Sequence, residues 1–263
     1  MRERLDILLV RQGLCPSRER AKSEIRAGNV YVDGMKADKA GMTCEETAKL
    51  EVKGETLRYV SRGGLKLEKA LQAFQLSPEG RVCLDCGAST GGFTDCMLQN
   101  GAEKVYALDV GTGQLAEKLR RDERVVCMER FNARELKPSD LDEAPAFITA
   151  DVSFISLRLI LPALAGVLAP GGDITVLVKP QFEAGRERLG KNGVVRDPGI
   201  HRAVLEELLL FFPTLGLYPQ GLSWSPIRGP EGNIEYLCHL RREDGGFRPD
   251  VAAVVAEAHR ELK

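Results

Sequence analysis

Three things are missing from this 263-residue chain, and each absence closes off a class of protein: a long apolar run, a strong charge imbalance, and a cysteine framework. The most apolar stretch, residues 157–168, is interrupted by Arg158 and Pro162. It falls short of the roughly 20 apolar residues that a membrane-crossing helix needs. No basic amphipathic helix suited to lying in a bilayer surface is present either, so a membrane-lytic role is not expected. The opening MRERLDILLV has neither an apolar core nor a small-residue cleavage site, so export is not expected. Cysteines at 15, 44, 83, 86, 96, 127 and 238 are odd in number and scattered, which fits free thiols and a cytoplasmic protein. Cys83 and Cys86 form a C-x-x-C, but it lies in an apolar, strand-like run without a second pair or a histidine cluster, so no metal site is expected.

What is present describes a globular protein, with 43% hydrophobic and 29% charged residues, long enough for a small domain and a larger one. The net charge of −1 hides an uneven distribution. Residues 1–40 hold nine Lys/Arg against six Asp/Glu, so a local basic face can exist on a neutral protein.

Within the first sixty residues, Leu5, Leu8 and Leu9 followed by Gly13 predict a short helix with one buried face. Ser17 is placed to cap a second helix running to Arg26, with Ala21 and Ile25 inward and Gly28 as its stop. Val30–Val32 before Asp33-Gly34 predicts a strand entering a tight turn, with a later strand over residues 49–52. Arg18, Lys22 and Arg26 recur at i, i+4, i+8 and share one side of the second helix. Such a stripe either tracks phosphates or is a solvated face. The string RLDILLVRQGLCPSRERAKSEIRAGNVYVDG resembles the RNA-binding domain named after the fourth small-subunit ribosomal protein, over about residues 2–55. That resemblance implies structured RNA as partner, recognised through shape and phosphates, with Arg4, Arg18, Arg20, Lys22, Arg26 and Lys36 as the contacting cations. The same module also precedes pseudouridine synthases, so it leaves the chemistry open. The polar, glycine-containing stretch GETLRYVSRGG is the expected linker, giving domains at 1–57 and 64–263 with 58–63 between them.

From Arg81 onward, strand-like runs (VCLDC, VYALDV, VVCME, FITADVS, ITVLVK) alternate with helical ones, which predicts a parallel sheet wrapped by helices. Two last strands, near residues 222–227 and 234–240, follow each other closely enough to close the sheet antiparallel. In LDCGASTGGF, Asp85 ends the first strand, and Gly87, Ser89, Gly91, Gly92 and Phe93 form the turn into the next helix, where a cofactor approaches main chain closely. The spacing is neither that of a dinucleotide fingerprint nor that of a phosphate loop with its lysine. Asp109 ends the second strand, where an acid can accept hydrogen bonds from ribose hydroxyls, and Glu129 and Asn132 end the third, beside an adenine pocket or in a plain surface turn.

After the fourth strand stands Asp151-Val-Ser-Phe154, in place of the Asn/Asp-Pro-Pro-aromatic string that grips exocyclic amines, so amine methylation is disfavoured. After the fifth stands Lys179. A sugar hydroxyl is a weak nucleophile until its proton leaves, and a desolvated lysine steadied by a carboxylate can remove that proton. Lys66 and Glu235 are the charged residues available to complete such a set, with Lys69 an alternative to Lys66 one turn away.

The segments VSRGGLKLEKAL, CLDCGASTGGFTDCML, ALDVGTGQL, ERFNAREL, ADVSFISL, LVKPQFEAGR and GNIEYL, in this order over nearly the whole chain, resemble the TlyA family of hemolysin-like rRNA methyltransferases, related to the FtsJ 2′-O-methyltransferases. The resemblance implies a Rossmann-like class I α/β domain with a mostly parallel seven-stranded sheet. It implies S-adenosyl-L-methionine as cofactor, held by Asp85, Gly87, Ser89, Gly91, Gly92, Phe93, Asp109, Glu129, Asn132 and Asp151, and a catalytic set Lys66, Asp151, Lys179 and Glu235. It further implies cytidine 2′-O-methylation in ribosomal RNA or ribosomal subunits, with Phe154 touching cofactor or a flipped nucleotide. Packing in the core is the competing role for Phe154, a non-catalytic assembly factor the competing role for the whole chain, and a monomer the expected form.

Overall fold

A computed structural model describes residues 2–15, 17–37, 39, 41–53, 58–190 and 193–262. The chain divides into two compact units, Met1–Arg62 and Gly63–Lys263. Of the expected linker, residues 54–57 lie outside the described residues. Residues 58–62 fold with the first unit: Tyr59 is buried and its carbonyl accepts a hydrogen bond from Arg20 at 2.9 Å.

In the first unit, β1 (Arg2–Arg4) leads into α1 (Leu5–Arg11), and α2 (Arg18–Ala27) follows. The side chain of Ser17 accepts from the Arg20 amide, and Gly28 ends α2 in the left-handed region at φ 76°, where glycine carries no steric penalty. Leu5, Leu8, Leu9, Ala21, Ile25 and Val30 form the core. Strand β2 (Val30–Val32) turns through Asp33-Gly34 into β3 (Met35–Lys36), while β5 (Leu50–Val52) pairs with the other side of β2. Strand β4 (Thr43–Glu45) pairs with β1. These two three-residue strands are too short to leave a periodic signal.

The second unit begins with α3 (Gly63–Phe74), a helix whose first residues the glycine-rich sequence disguised as linker. Strands β6 (Val82–Cys86), β7 (Lys104–Asp109), β8 (Val125–Glu129), β9 (Phe147–Ala150) and β10 (Asp173–Val178) are parallel, and β11 (Tyr218–Trp224) and β12 (Tyr236–Arg241) close one edge antiparallel. The order β11-β12-β10-β9-β6-β7-β8 gives the expected seven-stranded, mostly parallel α/β sheet. Between them run α4 (Gly92–Gln99), α5 (Glu117–Arg120), α6 (Leu157–Val167), α7 (Pro180–Glu183) and α8 (Pro198–Phe211), and α9 (Val251–Glu261) follows β12. Helix α5 begins only at Glu117, after the Gly113, Gln114 and Leu115 amides, all of which donate to Glu129.

The chain runs outward from β6 through β7 to β8, then returns to lay β9 on the opposite side of β6. That reversal opens a crevice beyond the carboxyl ends of β6 and β9, the place where open α/β sheets bind ligands. No helix among the described residues is long and apolar enough to cross a membrane. Cys83 and Cys86, three apart on β6, face opposite sides of the sheet and share no ligand position. Burial pushes the Cys83 thiol up to about 12.

Candidate active site

At the switch point, four charged side chains from distant parts of the sequence meet. Lys66, on the inward face of α3, lies 2.6 Å from Glu235 just before β12 and 3.6 Å from Asp151 just after β9. Asp151 is in turn 2.6 Å from Lys179, which directly follows β10. The cluster is thus a chain of alternating charge, Glu235–Lys66–Asp151–Lys179, and Lys66, Glu235 and Lys179 are buried. Burial opposes ionisation of Asp151, but the adjacent Lys66 and Lys179 outweigh it and hold the carboxyl below its ordinary range. Lys69 does not compete with Lys66: its ammonium lies over the Trp224 ring, 3.7 Å from the centroid, and burial lowers its affinity for a proton.

Beside this cluster lies the glycine turn. Gly87, Ser89 and Gly91 take φ values of 88°, 48° and 92°, a left-handed path that folds the loop tightly from β6 into α4. A Cβ on Gly87 would stand 2.5 Å from the Asp151 carbonyl, and the Asp151 amide donates to the Cys86 carbonyl at 2.9 Å. Turn and charge cluster therefore share one wall. Asp109 accepts from the Ser89 and Gly111 amides at 2.8 and 2.7 Å, tying the ends of β6 and β7 together at the crevice.

Several residues expected at the cofactor have other occupations. Asp85 is fully buried and accepts from the amide and hydroxyl of Thr94, at 2.8 and 2.7 Å, and from Thr149. Burial raises its pKa to about 7 despite these bonds, and it anchors α4 from inside instead of facing a ligand. The Phe93 ring is buried too. Glu129 is occupied by the Gly113, Gln114 and Leu115 amides and by Arg120 at 2.7 Å, which together hold its carboxyl down to about 2. Asn132 caps the short turn that follows it, accepting from the Arg134 amide and donating to Glu135. Both thus have partners in the loops around them.

Phe154 is not a core residue. It is 91% exposed, takes φ 64°, and its ring sits 5.2 Å from that of Phe182. Sequence reasoning missed Ser153, whose hydroxyl accepts from the Lys179 ammonium at 2.9 Å, and Gln114, which accepts from the Ser89 hydroxyl at 3.2 Å. The position of Ser153, between Asp151 and Phe154, was the available signal. Asn233, also missed, is buried, and its side-chain oxygen accepts the Val195 amide at 2.9 Å, bracing the turn that delivers Glu235.

In the first unit, the expected cations divide. Arg4 and Arg18 both grip the buried Asp6, each at 2.9 Å, and remain half-exposed. Arg20 is turned inward to Glu24 and the Tyr59 carbonyl, so its guanidinium is largely buried and already paired. Lys22 is partly exposed, and Arg26 and Lys36 are exposed.

Residues 59–242 match the FtsJ-like methyltransferase family, and residues 3–49 match the S4 domain. A Bacillus subtilis protein provisionally named rRNA methyltransferase YqxC is 54% identical over all of this chain and 96% of its own length. The 16S/23S rRNA (cytidine-2′-O)-methyltransferase TlyA of Mycobacterium tuberculosis is 46% identical over 92% of this chain and 91% of its own. A solved Streptococcus thermophilus structure, provisionally named a hemolysin, superposes with a TM-score of 0.81 at 52% identity, covering 99% of this chain and 97% of that one. The chain belongs to the FtsJ-like methyltransferase family and carries an S4 domain ahead of its methyltransferase fold.

Proposed function

We propose that this protein transfers a methyl group from S-adenosyl-L-methionine to the 2′-hydroxyl of a cytidine in ribosomal RNA. The observation that carries this reading is the unbroken ionic chain Glu235–Lys66–Asp151–Lys179 against the glycine turn at the switch point. The left-handed main chain at Gly87, Ser89 and Gly91 beside Asp109 suits a nucleoside-bearing cofactor, since close approach to main chain and an acid for ribose hydroxyls are what such a ligand requires. When bound, the sulfonium supplies an electrophilic methyl carbon.

The remaining task is to make a sugar oxygen nucleophilic. Lys179 in its amine form accepts the 2′-hydroxyl proton, and Asp151 and Ser153 fix the position of its nitrogen while Asp151 stabilises the ammonium that results. Lys66 stays paired with Glu235 and holds Asp151 from the other side. Phe154 offers an exposed ring on which a base turned out of its stack can rest. On the S4 domain, Lys22, Arg26 and Lys36 contact RNA phosphates, with Arg4 and Arg18 contributing from their posts on Asp6.

The test is to incubate the protein with isotopically labelled S-adenosyl-L-methionine and ribosomal subunits from cells lacking it, then digest the rRNA to nucleosides. Label in 2′-O-methylcytidine is the expected result. Label on a base, or cofactor binding without any transfer to rRNA, would overturn the reading.

A further inference from the structure

The loop after β9 and the turn after β10 are fastened together at three successive points, and only the first involves the charged cluster. Lys179 reaches Asp151 and Ser153 at 2.6 and 2.9 Å. Phe182 meets Phe154, ring to ring. Glu183, one helical turn beyond Lys179 and so on the same side of α7, accepts the Ser156 hydroxyl at 2.6 Å and the Leu157 amide at 2.7 Å. Ser156 is already the cap of α6, accepting the Arg158 amide, so the helix start has its own side-chain partner without Glu183. What the Glu183 bonds add is a fixed spacing between residues 151–157 and 179–183. Within that span Phe154 holds a left-handed backbone that a bulky side chain does not adopt unless its surroundings impose it.

We propose that Glu183 is a positioning residue for methyl transfer, clamping the Ser153–Phe154 loop so that Lys179 and the exposed ring keep their geometry. This assignment rests on the methyltransferase reading above. A shift of about 1 Å in a proton acceptor can cost a hundredfold in rate, so the clamp acts on turnover more than on binding.

The experiment uses the full chain with undermethylated ribosomal subunits. Glu183→Ala is expected to lower kcat about tenfold or more, with cofactor affinity and the KM for RNA within about twofold of wild type. Glu183→Gln, whose amide oxygen can accept from Leu157 and whose amide nitrogen can donate to Ser156, is expected to restore most of kcat. Ser156→Ala, which removes one of the two Glu183 bonds together with the α6 cap, is expected to lower kcat about threefold and decides the matter if Glu183→Ala does not fold. A folded Glu183→Ala protein with unchanged kcat, or an unchanged Ser156→Ala protein where the alanine variant is unfolded, overturns the assignment. A wild-type protein that places no methyl on ribose removes the underlying reading and this role with it, an outcome visible before any variant is made.

Discussion

Lys179 and Asp151, 28 residues apart in sequence, stand 2.6 Å from each other because they follow directly on two adjacent parallel strands, β10 and β9. Parallel neighbours bring their carboxyl ends to the same edge, and although the register pairs Ala150 with Val176, the long Lys179 side chain spans the offset to Asp151. That edge is where the chain reverses its order and leaves a crevice.

The first prediction concerns this pair. Lys179→Ala is expected to reduce the single-turnover methylation rate by at least about a hundredfold, the usual contribution of a positioned general base. Cofactor affinity, measured by calorimetry, is expected to stay close to wild type, since the lysine holds Asp151 and Ser153. Lost cofactor binding with normal turnover per bound enzyme would contradict the role.

Lys66 and Glu235 form a buried pair, so removing one partner strands the other. Lys66→Met is expected to destabilise the methyltransferase unit by about 3–5 kcal/mol, the range for breaking a buried ion pair. The double variant Lys66→Met, Glu235→Leu is expected to recover much of that loss, because both charges are then gone. Denaturant unfolding of the single and double variants checks this, and equal instability in the two would refute it.

Gly87→Ala combines a left-handed backbone with a Cβ that would press on the Asp151 carbonyl. Main chain cannot swing aside, so the ends of β6 and β9 must separate. A loss of roughly 1–3 kcal/mol is expected, together with loss of cofactor binding. Gly113→Ala, also left-handed but with open space where its Cβ would go, is the control and is expected to bind cofactor more nearly normally.

Asp6 carries a pH signature. Hydrogen bonding from Arg4, opposed by burial and reinforced by Arg18, lowers its pKa from 3.8 to about 2. A depressed carboxyl contributes stability that is present above the unfolded value and is lost as pH falls through the folded one. The S4 unit is therefore expected to weaken between about pH 4 and pH 2, by at most about 2.5 kcal/mol, and by less given that both guanidinium groups are half-exposed. Amide exchange over residues 2–53 of the full chain follows it, and Arg18→Ala is expected to shallow the acid transition.

For RNA binding, Lys22→Ala with Arg26→Ala is expected to weaken affinity more at low salt than at high, reducing the salt slope by up to about one per residue. Arg20→Ala is expected to change stability instead, through its contacts with Glu24 and Tyr59. An unchanged slope in the double variant would return α2 to a solvated face.

The elements with a clear period were legible before any coordinates. Ser17 and Gly28 bounded α2, Asp33-Gly34 marked its hairpin, and five apolar runs announced the parallel strands. Less legible were α3, whose opening glycines read as linker, and β1 and β4, three residues each. The α9 helix also escaped, since it follows a polar, glycine-bearing stretch and lies beyond the last strand.

Local sequence could fix which residue types stood at which strand ends, because side-chain alternation, helix capping and turn chemistry act over a few neighbours. It therefore determined the α/β alternation, the glycine turn, and Asp151 and Lys179 at the mouths of their strands. Helical spacing alone left Lys66 and Lys69 as alternatives, with the family resemblance favouring Lys66; tertiary structure supplies the physical difference, since one turn of α3 separates a buried ionic contact from a perch over Trp224. It also decided that Asp85, Glu129 and Asn132 have hydrogen-bond partners within the protein, and that Phe154 stands in solvent. Hydrogen-bond partners and burial are set by what the rest of the chain brings near, and no window along the sequence contains that.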